Sequence, residues 1–219
     1  MSDVPPASAP APGLVVAFDL DMTLIDTVPG FASTLRALGA ELDLDLPVEE
    51  LTARLGPPLD ALLEGHVPTD GIPAAVDRFR ELYVDHAIHA VATLDGAVDA
   101  IAAVRRHGGR VVVVTGKYAP NARLHLDHLA LDIDHLEGMV WGVGKADVLR
   151  REGAAILVGD HVHDVEGARA AGVLSVSVLT GGCTEEELLA AGTDVVLADL
   201  TVFPAWLEAH LATLARASG

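Results

Sequence analysis

The sequence predicts an α/β protein: a parallel sheet in a three-layer core, with a helical module inserted into it. Three observations carry that expectation. Five runs have the apolar, branched character of strands buried on both faces: Leu14–Phe18, Arg110–Val114, Ala154–Val158, Leu174–Leu179 and Asp194–Leu197. Helical patterns lie between most of them, and strands alternating with helices make a parallel sheet covered on both sides. The interval from Asp19 to Gly109 is too long for one crossover connection, and its part from about Thr27 to Thr93 contains no convincing strand.

Taken in order, Met1–Gly13 is rich in Pro and Ala, lacks a basic start and has no continuous apolar stretch. It does not read as a secretion signal but as a disordered N-terminal arm. Leu14–Phe18 then opens the sheet. Helical stretches follow near Phe31–Leu38, Val48–Leu55, Leu59–Glu64 and Ala74–Ala87, broken at Pro47, Gly56-Pro57-Pro58 and Pro68–Pro73. Residues 27–93 are therefore expected to form the inserted helical domain, with residues 14–26 and 94–219 as the core domain. Ala97, Ile101 and Val104 recur at helical spacing until His107-Gly108-Gly109 supplies a stop. After the second strand, Met139-Val140-Trp141 is a sixth, weaker strand candidate. Thr184 and Glu187 form a capping box for a helix through Ala191. No internal repeat is present.

Composition narrows the function classes. The 219 residues are 51% hydrophobic and 21% charged, a balance that excludes a disordered chain and allows one sizeable core plus a smaller module. A net charge of -18 argues against nucleic acid or an anionic membrane as partner. A small phosphorylated metabolite is not excluded, because local field outweighs total charge. Cys183 is the single cysteine, so no intrachain disulfide forms, which fits a cytoplasmic protein. No stretch approaches the roughly 18–20 apolar residues of a membrane span. A monomer or a homodimer is expected.

The strand ends carry the chemistry. Asp19 and Asp21 follow the first strand, Thr115-Gly116-Lys117 follows the second, and Gly159-Asp160 follows Ala154–Val158, with Asp164 four residues on. Lys145 opens the helix after the weak strand. In a parallel sheet these residues converge on one edge, where such folds bind ligands. Carboxylates gathered there repel by up to roughly 4 kcal/mol per pair at about 4 Å. A divalent cation relieves every pair at once, and all-oxygen ligands without an organised Cys or His set favour Mg²⁺. With Lys145 the ion would make a positive pocket that suits phosphate.

With Asp19-Leu20-Asp21-Met22-Thr23, Thr115, Lys145 and Gly159-Asp160-x-x-x-Asp164 in that order, the chain resembles the haloacid dehalogenase superfamily in its phosphatase branch. The resemblance covers nearly everything after Gly13. The inserted helices resemble the cap, of the C1 type, of the phosphoglycolate phosphatase-like group, and Gly167-Ala168-Arg169-Ala170-Ala171-Gly172 is also typical of it. It implies a Rossmann-like core and hydrolysis of a small phosphomonoester, such as phosphoglycolate, a sugar phosphate or a nucleotide. Asp19 would attack phosphorus and form an aspartyl-phosphate; Asp21 would protonate the leaving oxygen and then activate water. Thr115 and the Gly116 amide would hold phosphoryl oxygens, and Lys145 would neutralise charge. Mg²⁺ would be held by the Asp19 and Asp160 carboxylates and the Asp21 carbonyl, with Asp164 acting directly or through water. Thr23 is expected to shape the turn. Arg54 and Gly56-Pro57-Pro58 lie where related caps select substrate. Asp21 distinguishes phosphatases from the metal-independent dehalogenases, which lack it. Hinges near Asp26–Thr27 and Thr93–Gly96 would let the cap close and exclude water.

Two alternatives remain. A phosphotransferase of the β-phosphoglucomutase type shares all four motifs, but its cap should hold a bisphosphate with several cations, and residues 27–93 contain no lysine. That absence also argues against phosphonoacetaldehyde hydrolysis, which needs a Schiff-base lysine in the cap. A non-catalytic phosphometabolite-binding protein would be expected to have lost Asp19 or Asp21. His161 and His163 are candidates for the substrate entrance or for ordinary loop residues. Lys117 is a rival to Lys145, but it sits where the family often has a lysine without a direct catalytic role. Gly138 to Ala146 is one residue too long for a nucleotide-phosphate loop and has Ala146 where Ser or Thr is required. His125 and His128 read as a solvated pair, Trp141 and Trp206 as core residues, and nothing marks Cys183 as a nucleophile.

Overall fold

The structure, a computed structural model, describes residues 13–217. The arm expected over residues 1–13 lies outside the described residues, apart from Gly13. In chain order the elements are β1 (Val15–Phe18), β2 (Ile25–Asp26), α1 (Val28–Leu42), α2 (Val48–Ala53), α3 (Leu59–Leu63), α4 (Ile72–His86), β3 (Ala92–Thr93), α5 (Ala97–Arg106), β4 (Arg110–Val114), α6 (Ala119–His128), β5 (His135–Glu137), α7 (Lys145–Glu152), β6 (Ile156–Gly159), α8 (Val162–Ala171), β7 (Leu174–Val178), α9 (Glu185–Ala191), β8 (Val195–Leu197) and α10 (Phe203–Ala217).

Six strands form one sheet in the order β5-β4-β1-β6-β7-β8, every neighbouring pair parallel. Strand residues alternate faces, as the two-residue period demands. Val16, Phe18, Val111 and Val113 pack with α5, α6 and α10, while Val15, Ala17, Val112 and Val114 pack with α7 and α8. Both faces are therefore buried, which is why these strands read as continuous apolar runs. β1 lies between β4 and β6, so the chain leaves it in opposite directions. That switch point opens a crevice at the C-terminal edge.

Helices α1–α4 gather a separate apolar cluster of their own. Phe31, Phe79 and Tyr83 form its aromatic spine, with centroids 5.2 and 5.6 Å apart. The chain enters and leaves this module through the antiparallel ribbon β2–β3, which pairs Ile25 with Thr93 and Asp26 with Ala92. Gly96 closes the return at φ +82°, where a Cβ would overlap the Leu200–Thr201 backbone.

One strand expectation is corrected. The edge strand beside β4 is His135–Glu137, not Met139–Trp141. β5 is half-buried throughout, so it carries polar residues and no apolar run. Met139 adopts φ +61°, which breaks extension there. The capping box at Thr184 and Glu187 forms as expected. Among the described residues no helix is long and apolar enough to cross a membrane.

Candidate active site

Strand register brings the predicted residues together. Phe18 pairs with Val113 on one side and Val158 on the other, so the residues that follow β1, β4 and β6 emerge side by side. Asp19 is pinned there by its amide, which donates to the Val158 carbonyl at 2.8 Å. After Asp19 the chain makes a tight turn, with Leu24 N–H on the Leu20 carbonyl and Met22 at φ +58°. The Thr23 amide donates to the Leu20 carbonyl at 3.4 Å within this turn, and its hydroxyl donates to Asp160 Oδ1 at 2.9 Å.

Lys145 Nζ, at the start of α7, lies 2.5 Å from both Asp19 Oδ1 and Asp164 Oδ1. All three side chains are buried. The second Asp164 oxygen accepts from the His161 amide at 3.2 Å, closing a capping box on α8. Asp160 sits against Gly181, where any Cβ would overlap its carboxylate. One ligand oxygen from each of Asp19, Asp160 and Asp164 lies within 4.8 Å of the others.

The crowding sets the charge states. Burial, with Asp164 and Asp21 nearby, raises Asp19 to about 7 despite the opposing pull of Lys145. Burial, with Asp164 and Asp19 nearby, holds Asp160 well above the usual carboxylate range. Burial opposes charge on Lys145 too, but Asp164 and Asp19 raise it above its ordinary value, so it stays an ammonium. Three hard carboxylates in one pocket with one ammonium are a donor set suited to a hard divalent cation.

Asp21 occupies different surroundings. Burial disfavours its charge, but Lys117 Nζ at 2.7 Å and the Thr27 hydroxyl, both on Oδ1, hold it below its ordinary value. The Lys117 side chain is only 9% exposed and its Nζ lies 4.5 Å over the Tyr83 ring of α4. Tyr83 Oη meets His125 Nε2 at 3.0 Å. Burial, with Lys117 nearby, pushes His125 down to about 4. Thr115 is buried at the end of β4, its amide on the Glu137 carbonyl, and its hydroxyl accepts from the Lys117 amide at 3.2 Å.

A cavity of about 620 Å³ covers this edge and runs up between the sheet and the helical module. Asp19, Asp21, Thr115, Gly116, Lys145, Asp160 and Asp164 all line it, as do His161 and His163. Arg54 does not. It ends α2, more than half exposed, 3.8 Å from Glu50 one turn earlier. Pro57 and Pro58, beside it in sequence, do reach the cavity.

Several residues differ from their sequence reading. Lys117 bonds Asp21 directly. His125 is fully buried and not a solvated partner of His128; its helical spacing with Ala122 and Leu126, both buried, was the available signal. Trp141 is not core: it is 38% exposed at the cavity, its ring centroid 3.9 Å from that of His163. Trp206 does pack against the main core. Tyr83 carried no sequence signal for its place beside Lys117.

A sequence profile of haloacid dehalogenase-like hydrolases matches residues 16–169. The chain is 33% identical to a phosphoglycolate phosphatase of Caulobacter vibrioides over 84% of this chain and 86% of that one. It is 29% identical to a 5'-nucleotidase of Pseudomonas aeruginosa, over 89% of this chain and 96% of that one. A haloacid dehalogenase-like hydrolase structure from Streptococcus pneumoniae superposes with a TM-score of 0.78 at 21% identity, covering 91% of this chain and 98% of that one, and so shares the fold. The chain belongs to the haloacid dehalogenase-like hydrolase family, in its phosphoglycolate phosphatase-like group.

Proposed function

We propose that this hydrolase cleaves small phosphomonoesters through an aspartyl-phosphate on Asp19. The observation that carries the reading is the division of two neighbouring carboxylates between two lysines: Asp19 on Lys145, Asp21 on Lys117. Two carboxylates with different partners can do two jobs. Asp19 attacks phosphorus and the bond to the ester oxygen breaks. Asp21 gives a proton to that oxygen, so an alcohol leaves. Asp21 then takes a proton from water, whose oxygen attacks phosphorus and frees Asp19 and inorganic phosphate. Thr115 and the Gly116 amide hold phosphoryl oxygens at the strand end. Lys145 offsets charge on Asp19 and the phosphoryl group, and Lys117 stabilises the Asp21 carboxylate between the two steps, after its proton has gone to the ester oxygen and before it takes one from water.

Mg²⁺, held by the Asp19 and Asp160 carboxylates and the Asp21 carbonyl, with Asp164 directly or through water, would offset the charge of the carboxylates and the phosphoryl oxygens. Residues 27–93 act as a cap on the core of 14–26 and 94–219, and the β2–β3 ribbon is its hinge.

The test is phosphate release from p-nitrophenyl phosphate and a phosphomonoester panel, with Mg²⁺ or EDTA, for wild type and Asp19→Asn. Release that needs both the metal and Asp19 supports the reading. Folded protein that binds Mg²⁺ and releases no phosphate refutes it, and turns attention to the mutase and binding-protein alternatives.

A further inference from the structure

We propose, resting on the phosphatase reading, that the preferred ester carries an uncharged, aromatic-sized leaving group and not a small carboxylate-bearing one such as glycolate. Volume is the first argument. A cavity of about 620 Å³ falls in the range of roughly 300–1,000 Å³ that buries a drug-sized ligand. A two-carbon phosphate ester would fill only its floor.

Charge is the second. A leaving group with its own carboxylate needs a cation in the upper cavity, because an unpaired buried carboxylate is strongly disfavoured. Among the described residues three Lys or Arg side chains line the space, and each already has a carboxylate partner. Lys145 is bound to Asp19 and Asp164, and Lys117 to Asp21. Arg80 is the one such cation from the helical module. Its Nη1 lies 3.0 Å from Asp77, and its guanidinium carbon sits 4.7 Å over the Tyr118 ring. The helical module also sends Asp60, Glu64 and Asp77 to the cavity, so its own contribution is net negative. Arg54, the cap cation that the sequence placed where related caps select substrate, is outside.

Chemistry of the walls is the third. Phe31, Val76, Phe79 and Ile72 of the helical module face Tyr118 and Trp141 of the core across the same space. Tyr118, Met139 and Trp141 each remain more than a third exposed. Apolar surface left open around a cavity marks a ligand groove. An aromatic ring would stack there at little cost in ordering.

The experiment uses esters of matched leaving-group reactivity. Benzyl phosphate, 4-carboxybenzyl phosphate, ethyl phosphate and phosphoglycolate are compared by kcat/KM with Mg²⁺ present. Benzyl phosphate is expected to exceed ethyl phosphate and phosphoglycolate by about tenfold or more, and to exceed 4-carboxybenzyl phosphate by a similar factor. Asp77→Asn, which frees Arg80 at an exposed position, should narrow the benzyl to 4-carboxybenzyl ratio several-fold. Phosphoglycolate turned over as well as, or better than, benzyl phosphate overturns the proposal and leaves the phosphatase reading intact. Equal rates for the benzyl pair overturn the charge argument and with it the proposal. Folded enzyme inert toward every ester and toward p-nitrophenyl phosphate overturns both.

Discussion

Replacing Asp19 by Asn should stabilise the metal-free protein, and by an amount that grows with pH. Asp19 is raised from 3.8 to about 7 by burial and by Asp164 and Asp21. Between those two values the folded chain holds a proton that the unfolded chain has lost. Its stability is therefore fully present below the unfolded value and falls as pH rises through 7. From about pH 5.5 to about pH 7.5 this one group removes about 2 kcal/mol. Asn fills the same volume, keeps a polar group beside Lys145 and has no charge to lose. Two histidines work with the opposite sign. Burial lowers His125 and His161, so each adds stability as pH rises through the ordinary histidine value. They are common to both proteins and cancel in the difference. The assay is urea denaturation of wild type and Asp19→Asn in EDTA at the two pH values. The variant should gain about 2 kcal/mol on wild type across the interval. Saturating Mg²⁺ should cancel the gain, because a ligand that binds only the folded state stabilises the protein that binds it better. A difference that does not change with pH, or that shrinks as pH rises, refutes the crowding argument.

Three further outcomes follow from the same geometry. Lys117→Met removes the cation that holds Asp21 ionised, so the water-activating step should slow most. The kcat should drop by about tenfold or more, and aspartyl-phosphate should accumulate in rapid-quench mass spectra. Arg54→Ala should leave KM for every ester within about twofold of wild type, since it breaks only an exposed pair with Glu50. Gly96→Ala should lower unfolding stability by about 2 kcal/mol or more in chemical denaturation, because the position combines φ +82° with a backbone overlap at Leu200.

Legibility in the sequence followed burial. Val15–Phe18 and Arg110–Val114 were readable because both faces of these central strands are covered, leaving no polar residue within the run except Arg110 at its exposed start. β5 was not, because an edge strand half open to solvent carries His135 and Glu137, and the apolar Met139–Trp141 nearby drew the assignment instead. The two-residue strands β2 and β3 were missed for a different reason. Their pairing joins residues far apart in sequence, and neither segment has the length to show a period. The four helices of the inserted module were legible from spacing and proline breaks, since each turns one apolar face to a shared cluster.

The candidate site divides along the same line. Asp19, Thr115 and Asp160 were readable because each follows a buried strand, and in a parallel sheet strand ends converge without further information. Lys145 and Asp164 came from their places in the motif order. The environment of Asp21 was out of reach, because it is built from Lys117 96 residues away in sequence and from Tyr83 on the inserted module. Lys117 was judged by its place after the second motif, where its contact could not be seen. Arg54 shows the converse. Position beside a proline turn pointed it toward substrate, whereas a carboxylate one helical turn back at Glu50 was close enough to hold it. Local sequence thus specified which charges sit on the floor of the site. The separation of two carboxylates between different lysines depends on cations brought by tertiary packing, and the same packing leaves no Lys or Arg lining the cavity without a carboxylate partner among the described residues. On the reading proposed above, substrate choice rests there, on contacts between elements that carry no shared motif.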